Sequence, residues 1–432
     1  MVFQGMAQPP SVIFLNRVYP PARGATGRVL RDLARSFAKD GWAVTILTTG
    51  AESRTEKDGP IRVVRVKAPL RGKSVFGYLN VWLRLTLRGL KLPRHDLVVT
   101  LTDPPLLVAG GRLIARVKKT RHIHWCQDLY PDLLPAMGVR LPDGVMDSLK
   151  TLSRRSMKKC DRVVTIGRCM ARQLTTSGLD PKKIAVIPNW PDQELLQLPA
   201  LTAKGGFKNV NGNAAAKRSQ SAHARPFEEL FRDGDAPKFR VLYAGNLGRA
   251  HPTAAILGAA EILARDYPDI EFVFVGDGPG QEELAQERAT RGLENIRFLP
   301  FQPASRLREL MESGDVHLIS MADEAAGLLV PSKLYAALAV RRPCVFIGPS
   351  HSEAARVIND FKAGAVIPQS EPEMLAQAIT SFRNHPESWF AAHEGSTKAG
   401  RIFVPDDAIA AWIKRARDTV GLPSSASAER SQ

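Results

Sequence analysis

Apolar and polar positions along this chain fall into a repeating order. A short run rich in Val, Ile, Leu and Phe is followed by a longer stretch with apolar residues every three to four positions. Parallel βαβ units produce that alternation, because strands covered on both faces read as continuous apolar runs and the covering helices are amphipathic. Runs at 11–16, 43–48, 61–66, 96–101, 121–126, 162–166 and 184–188 predict the strands of a first half. A helix is expected over 28–40, with Val29, Leu30, Leu33 and Phe37 on one face. The pattern restarts at 239–244 and continues at 270–275, 296–300, 315–320, 344–348 and 365–367. The prediction is an α/β protein of two Rossmann-like domains, each a doubly wound parallel sheet, facing a cleft. The stretch between the halves is small, polar and basic, with little to bury, and reads as a flexible insertion. The expected divisions are an N-terminal domain over 1–201, the insertion over 202–237 and a C-terminal domain over 238–403. A helix over 404–420, able to return to the first domain, and a disordered tail over 421–432 complete the chain.

Candidate chemistry sits where predicted strands hand over to helices. Val330-Pro331-Ser332-Lys333 opens a short apolar helix. Proline suits a first helical turn, Ser332 is expected to cap it, and Lys333 beside the outward amides makes a site for a diphosphate. The same tetrapeptide also fits an ordinary helix start with a solvated lysine. Gly245-Asn246-Leu247-Gly248-Arg249-Ala250-His251 is a glycine-containing loop after the strand at 239–244, and Gly276-Asp277-Gly278-Pro279-Gly280 is a second tight turn. In the first half, Gly24 and Gly27 in YPPARGATG let the backbone approach a partner closely. Gln127, Asp128 and Asp132 emerge at the end of the strand at 121–126. A carboxylate there is placed to meet a substrate hydroxyl or act as a base, or else to cap the next helix. His122 and His124 share one face of that strand without the ligand spacing of a metal site, which favours a core role. Asp233 and Asp235, in polar loop sequence, read as a surface turn.

Composition narrows the partners. The 432 residues carry a net charge of +17, which calls for an acidic partner. Residues 59–95 contain no acidic side chain, and Arg71, Lys73, Arg84, Arg88, Lys91 and Arg94 interleave with Phe76, Tyr78, Leu79, Trp82, Leu83, Leu87 and Leu90. A basic stripe beside wide apolar surface suits an anionic membrane. A second basic helix is expected over 145–159, with Lys150, Arg154 and Lys158 spaced by four. No nucleic-acid module is present, so nucleic acid is not the expected partner. No apolar run approaches the ~20 residues that span a bilayer, and the N-terminal apolar stretch is too short for a signal peptide. Four cysteines without paired spacing read as free thiols in a reducing cytosol.

The phrases YPPARGATGR, HWCQDLYPD, DRVVTIG, IPNWPD, VLYAGNLGRAH, FVFVGDGP, IRFLPFQP, DVHLIS, GLLVPSKLYAALAVRRPCVFIGP and SEAARVI occur in that order over nearly the whole chain. Together they resemble the family 4 retaining glycosyltransferases of the GT-B fold. The likeness is to a bacterial exopolysaccharide and O-antigen branch, similar to colanic acid and fucosamine transferases. The resemblance implies a nucleotide-sugar donor, UDP-linked, in the C-terminal half. Gly245, Asn246, Gly248, Arg249, Ser332 and Lys333 would surround its diphosphate, and Phe301 and Gln302 would lie near the base. The acceptor would meet Gly24, Thr26, Gly27 and Gln127, and the catalytic roles would fall to Asp128, Arg249 and Lys333. No metal and no cofactor are implied, the nucleotide sugar being a substrate.

Three features depart from the family pattern. Its phosphate-binding Arg and Lys align with Asn246 and His251, and its acceptor-side His with Gln127. Its E-x7-E pair falls on Leu328 and Ala336, leaving Glu324 or the more distant Glu353 for the ribose. The implied acceptor is a lipid-linked saccharide on a polyprenyl diphosphate, or a polysaccharide. The implied location is cytoplasmic, peripheral to the inner membrane. Two other readings fit the same fold: a UDP-sugar 2-epimerase, and a non-catalytic nucleotide-sugar or membrane-binding protein.

Overall fold

Every apolar run named above is a strand in the computed structural model, which describes residues 8–22, 24–68, 75–196, 238–248 and 251–423. Arg249, the insertion at 202–237 with Asp233 and Asp235, Arg71, Lys73 and most of the tail lie outside the described residues. The first half runs β1 (Ser11–Leu15), α1 (Ala25–Lys39), β2 (Ala43–Gly50), β3 (Arg54–Asp58), β4 (Ile61–Lys67), α2 (Val75–Lys91), β5 (Leu97–Thr100) and α3 (Leu107–Lys118). It continues with β6 (Arg121–Cys126), α4 (Asp143–Lys158), β7 (Arg162–Thr165), α5 (Arg168–Thr176), β8 (Ile184–Val186) and α6 (Gln193–Leu196). Its sheet order is β3-β4-β2-β1-β5-β6-β7-β8, parallel except where β3 pairs antiparallel with β4. The strand β3 has no counterpart in the sequence reading. Its residues, Arg-Thr-Glu-Lys-Asp, are polar on both faces, as an outermost strand facing water allows, so no apolar run marks it.

The second half runs β9 (Phe239–Ala244), α7 (Ala254–Asp266), β10 (Ile270–Val275), α8 (Pro279–Arg291), β11 (Ile296–Leu299), α9 (Leu307–Ser313), β12 (Val316–Ser320) and α10 (Lys333–Ala339). It ends with β13 (Cys344–Ile347), α11 (Glu353–Phe361), β14 (Gly364–Ile367), α12 (Pro372–Asn384), α13 (Pro386–Gly400) and α14 (Pro405–Val420). The sheet β11-β10-β9-β12-β13-β14 is wholly parallel.

Two local readings are corrected. The helix α1 begins at Ala25, three residues before the expected start, so GATG is its first turn and not an open loop. The close approach its glycines permit is to Val18: a Cβ on Gly27 would stand 2.9 Å from the Val18 carbonyl oxygen. Val29, Leu30, Leu33 and Phe37 are all buried beneath it, as the periodicity predicts. On α4, Arg154 is not part of a solvated basic stripe. It turns inward and donates to both oxygens of Asp132, at 3.0 and 2.7 Å, so neither of these charges is left for a ligand.

One apolar core runs through both halves, joining Trp125 and Met170 of the first to Leu334, Tyr335 and Ile358 of the second. The last helix, α14, packs on the first half: the Trp412 and Trp125 rings lie 4.7 Å apart, and Arg417 Nε donates to Asp40 Oδ2 at 2.9 Å. All four cysteines are free and buried.

Candidate active site

In an open parallel sheet, a crevice forms at the carboxyl edge where neighbouring strands send their connections to opposite faces. The strand orders place that point between β9 and β12 in the second half and between β1 and β5 in the first. The chemistry-bearing loops found in the sequence leave from these strands or from their neighbours.

In the second half the loop after β9 meets the start of α10. Lys333 Nζ donates to the Asn246 carbonyl at 3.0 Å and lies 4.7 Å from the centre of the Tyr243 ring. Tyr243 Oη donates to the same carbonyl at 3.2 Å. Gly245 has φ 118°, a conformation that L side chains rarely adopt, and a Cβ there would stand 3.2 Å from Lys333 Cε. The turn after β10 supports this loop from behind. A Cβ on Gly276 would lie 2.4 Å from the Gly245 carbonyl oxygen, and one on Gly278 2.6 Å from that of Leu247.

Burial pulls the Lys333 pKa down to about 8. The ammonium is still the prevailing form at pH 7, and a bound phosphate would favour it further. His251 is held differently. Its Nδ1 donates to the Ser320 carbonyl, while burial and then the Lys333 charge lower its pKa to about 4. The ring is therefore neutral, and Lys333 supplies the positive charge at this spot among the described residues.

Ser332 does not cap α10. Its φ and ψ, −63° and −20°, are already helical and its side chain makes no capping bond, whereas a cap needs extended backbone. The Gly248 carbonyl closes a turn by accepting from the His251 N–H at 3.1 Å. Phe301 is exposed after β11, Gln302 donates to the Pro300 carbonyl at 2.8 Å, and Glu324 is exposed in the turn Asp323–Ala325. Glu353 is buried and committed elsewhere. Its two oxygens accept from Arg168 N at 2.7 Å and Arg168 Nε at 2.9 Å, across the junction between the halves.

In the first half, Arg17 leaves β1 and Asp103 follows β5, and Arg17 Nε donates to Asp103 Oδ1 at 2.7 Å. The Tyr78 ring of α2 lies against this guanidinium, at 5.5 Å. Asp128 caps no helix, and its carboxyl has no hydrogen-bond partner among the described residues. Burial and then the charge of Asp103 push its pKa up to about 7. Gln127 is buried and exchanges two hydrogen bonds with Asn189, at 3.1 and 2.6 Å. Thr26 is half-buried in the first turn of α1, and Arg28 two residues on is paired with Asp192. Leu129 N donates to the Leu328 carbonyl at 2.7 Å, which ties the residue after Asp128 to the loop leading to Lys333. Among the described residues, no three His, Cys, Asp or Glu are grouped to hold a metal ion.

Residues 24–190 match the family described as Glycosyl transferase 4-like domain, and residues 227–394 match Glycosyl transferases group 1. The two matches abut the two halves of the cleft. The chain belongs to the family 4-like glycosyltransferases.

A relative of this glycosyltransferase is the putative colanic acid biosynthesis glycosyl transferase WcaI of Escherichia coli (strain K12), 29% identical over 295 residues. Another is the probable glycosyltransferase WbjE of Pseudomonas aeruginosa, 24% identical over 288 residues. The aligned parts cover 67% and 66% of this chain, and they span just under two thirds, 66%, of each relative. Among solved structures, HepE of Anabaena in complex with UDP and glucose superimposes with a TM-score of 0.67 at 16% identity, covering 95% of this chain and 100% of that one. That likeness shows the GT-B fold.

For this glycosyltransferase the sequence reading named Lys333, Gly245 and Asn246, which the structure brings into contact, and it named Asp128. It did not name Tyr243, which bonds the Asn246 carbonyl, Asp103, whose charge bears on Asp128, or Asn189, which pairs with Gln127. Tyr243 was hidden inside an apolar strand and Asn189 in a loop. Asp103 follows a strand in the same way as Asp128, and that position was a signal it did not use.

Proposed function

We propose that this protein transfers a sugar from a UDP-linked donor to a lipid-linked saccharide acceptor in bacterial surface polysaccharide synthesis, with retention of configuration and without a metal. The observation that carries the reading is the Lys333 ammonium, held over Tyr243 and against Asn246 at the β9/β12 crevice. A preformed cation there offsets the charge that develops on the leaving diphosphate, the largest single contribution in many group transfers. Arg249, in the same loop by sequence, is proposed as a second cation. The departing phosphate oxygen takes the acceptor hydroxyl's proton on the same face. Asp128, across the junction, orients that hydroxyl. Phe301 and Gln302 would meet the base, and Glu324 the ribose. The relatives' printed names support the polysaccharide setting, and the UDP and glucose bound to HepE support the donor class.

The acceptor's lipid is proposed to stay in the membrane while its head group enters the cleft. No helix of the described residues is long and apolar enough to cross a bilayer. Phe76, Leu79, Leu83 and Leu87 instead form an exposed stripe along α2, with Leu113 and Val117 on α3 and Val145 and Leu152 on α4 also exposed. Arg84, Lys91, Arg116 and Lys158 lie on the same helices. An apolar stripe flanked by cations fits an anionic bilayer surface.

The test is to incubate the protein with a panel of UDP- and GDP-sugars and bacterial membrane lipid extract, with EDTA present. Nucleotide release and sugar incorporation into lipid are measured. The expected result is acceptor-dependent release of one nucleotide, insensitive to EDTA. Release of a free sugar inverted at C2, without need of an acceptor, would point to the epimerase reading and overturn this one.

A further inference from the structure

Behind Asp128 lies a cavity of about 10 Å³, lined among others by Thr102, His124, Asp128 and Ser153. It is polar where an apolar void would be expected in a core. Thr102 is 4% exposed, and its Oγ1 is buried with no hydrogen-bond partner. An orphan of this kind is destabilising unless something satisfies it. His124, also 4% exposed, uses Nδ1 toward the Thr100 carbonyl at 3.0 Å. A carbonyl only accepts, so Nδ1 carries the hydrogen and Nε2 is left as an acceptor. Burial lowers the His124 pKa to about 4, so the ring stays neutral. Ser153 is already used, donating to the Tyr130 carbonyl at 2.9 Å. Three of the residues lining this space therefore carry a group without a protein partner: a hydroxyl, an imidazole acceptor and a carboxyl. The space is about one water sphere in size, and a buried water needs two to four such partners.

We propose that this cavity holds one water molecule, which accepts from Thr102 Oγ1 and donates to His124 Nε2 and the Asp128 carboxylate. Thr102 and His124 are then positioning residues for Asp128. The inference rests on the reading that Asp128 meets the acceptor. It gives that carboxyl a fixed direction, with one side on the water and the other toward the cleft. When Asp128 is protonated, it donates to the same water and the set stays satisfied. Several other groups bear on its charge. Asp103, after β5, bears on it directly. Arg17, after β1, and Tyr78 of α2 lie toward its neighbour Tyr130, and Arg154 with Asp132 toward its neighbour Cys126. Cys126 and Tyr130 flank it in the chain, and burial keeps both neutral.

Infrared difference spectroscopy on the full chain tests this without any substrate. The carbonyl stretch of the protonated carboxyl, assigned by its loss in Asp128→Asn, should titrate with a midpoint above the ordinary carboxylate range, because burial and then the Asp103 charge raise it. Thr102→Val removes the water's one donor and sets a methyl group in place of the hydroxyl, which should expel the water and raise that midpoint by about one unit or more, because the carboxylate then loses the water as its donor. Thr102→Ser restores the hydroxyl and should return the midpoint. An unchanged midpoint in Thr102→Val, with the fold intact by circular dichroism, would overturn the proposal. So would a shift that Thr102→Ser fails to reverse. The transfer assay then separates the two readings. If the midpoint shifts as expected but Asp128→Asn transfers sugar at the wild-type rate, the water site stands and the acceptor role of Asp128 falls.

Discussion

At the scale of single residues, the proposed donor side rests on the Lys333 ammonium, whose neighbours are known. Lys333→Ala should lower kcat by about 10²- to 10³-fold, the effect of deleting one preorganised group that stabilises a leaving oxyanion. Nucleotide release in the presence of acceptor measures it. Burial has brought the Lys333 pKa down to about 8, so kcat/KM for the donor should fall as pH rises through that value, where the free enzyme loses the charge. The kcat profile should bend at higher pH, because bound phosphate raises the pKa again. A flat kcat/KM profile above pH 8 would argue that another cation carries the role. Lys333 was legible because a lysine one residue inside a Pro-Ser helix start is a local pattern. The reason it is effective was not legible, since Tyr243 and Asn246 reach it from 90 and 87 positions away in the chain. The Gln127 side chain shows the converse. Its position after β6 could be read, but its reciprocal bonds to Asn189 are a tertiary pairing that no spacing reveals.

At the scale of elements, α2 is the helix whose apolar residues exceed what the core needs. Val81 and Leu85 are buried on one face, while Phe76, Leu79, Leu83 and Leu87 recur at helical spacing on the other and stay exposed. The sequence reading separated this helix from an ordinary amphipathic one because cations interrupt its apolar run without any acid. It failed on α4, where Arg154 has the same spacing as its neighbours but finds Asp132, a partner set by the turn after β6. Periodicity fixes which residues share a face and leaves open what that face meets. If α2 lies on the bilayer, replacing Leu79 and Leu83 together by Ser should weaken binding to anionic vesicles at least tenfold. Each leucine contributes about 1.5–3 kcal/mol when buried. Replacing Arg84 and Lys91 by Gln should cost about 1 kcal/mol each on anionic vesicles and nothing on neutral ones. Cosedimentation measures both, and equal binding of wild type and the double serine variant would remove α2 from the interface.

At the scale of the molecule, the two halves meet through a junction that joins the two sides of the cleft directly. Leu129 N bonds to the Leu328 carbonyl, five positions before Lys333 and one after Asp128. Arg168, at the first turn of α5, is clasped by Glu353 at the first turn of α11. Gly167 makes that approach possible, since a Cβ there would stand 2.8 Å from Val330 Cγ2 and 3.2 Å from Glu353 Cβ. The sequence reading took Glu353 as a ribose candidate because nothing local distinguishes a carboxylate facing a ligand from one facing the other domain. On the proposed function the junction would matter for chemistry, because a nucleotide sugar held in a wet cleft is lost to water and a cleft excludes water only when its halves fit. Gly167→Val forces the contact with Val330 apart, three residues before Lys333 and without contact to Lys333 itself, so it should change donor affinity less than it changes transfer. The expected effect is a fall in sugar transferred per nucleotide released, with hydrolysis making up the difference. Glu353→Gln keeps the shape and weakens charge-assisted bonds by about 1–3 kcal/mol, and should move the same ratio by less. If Gly167→Val lowers transfer and hydrolysis together, the junction sets only stability; if the ratio alone falls, the junction holds the halves in register for transfer.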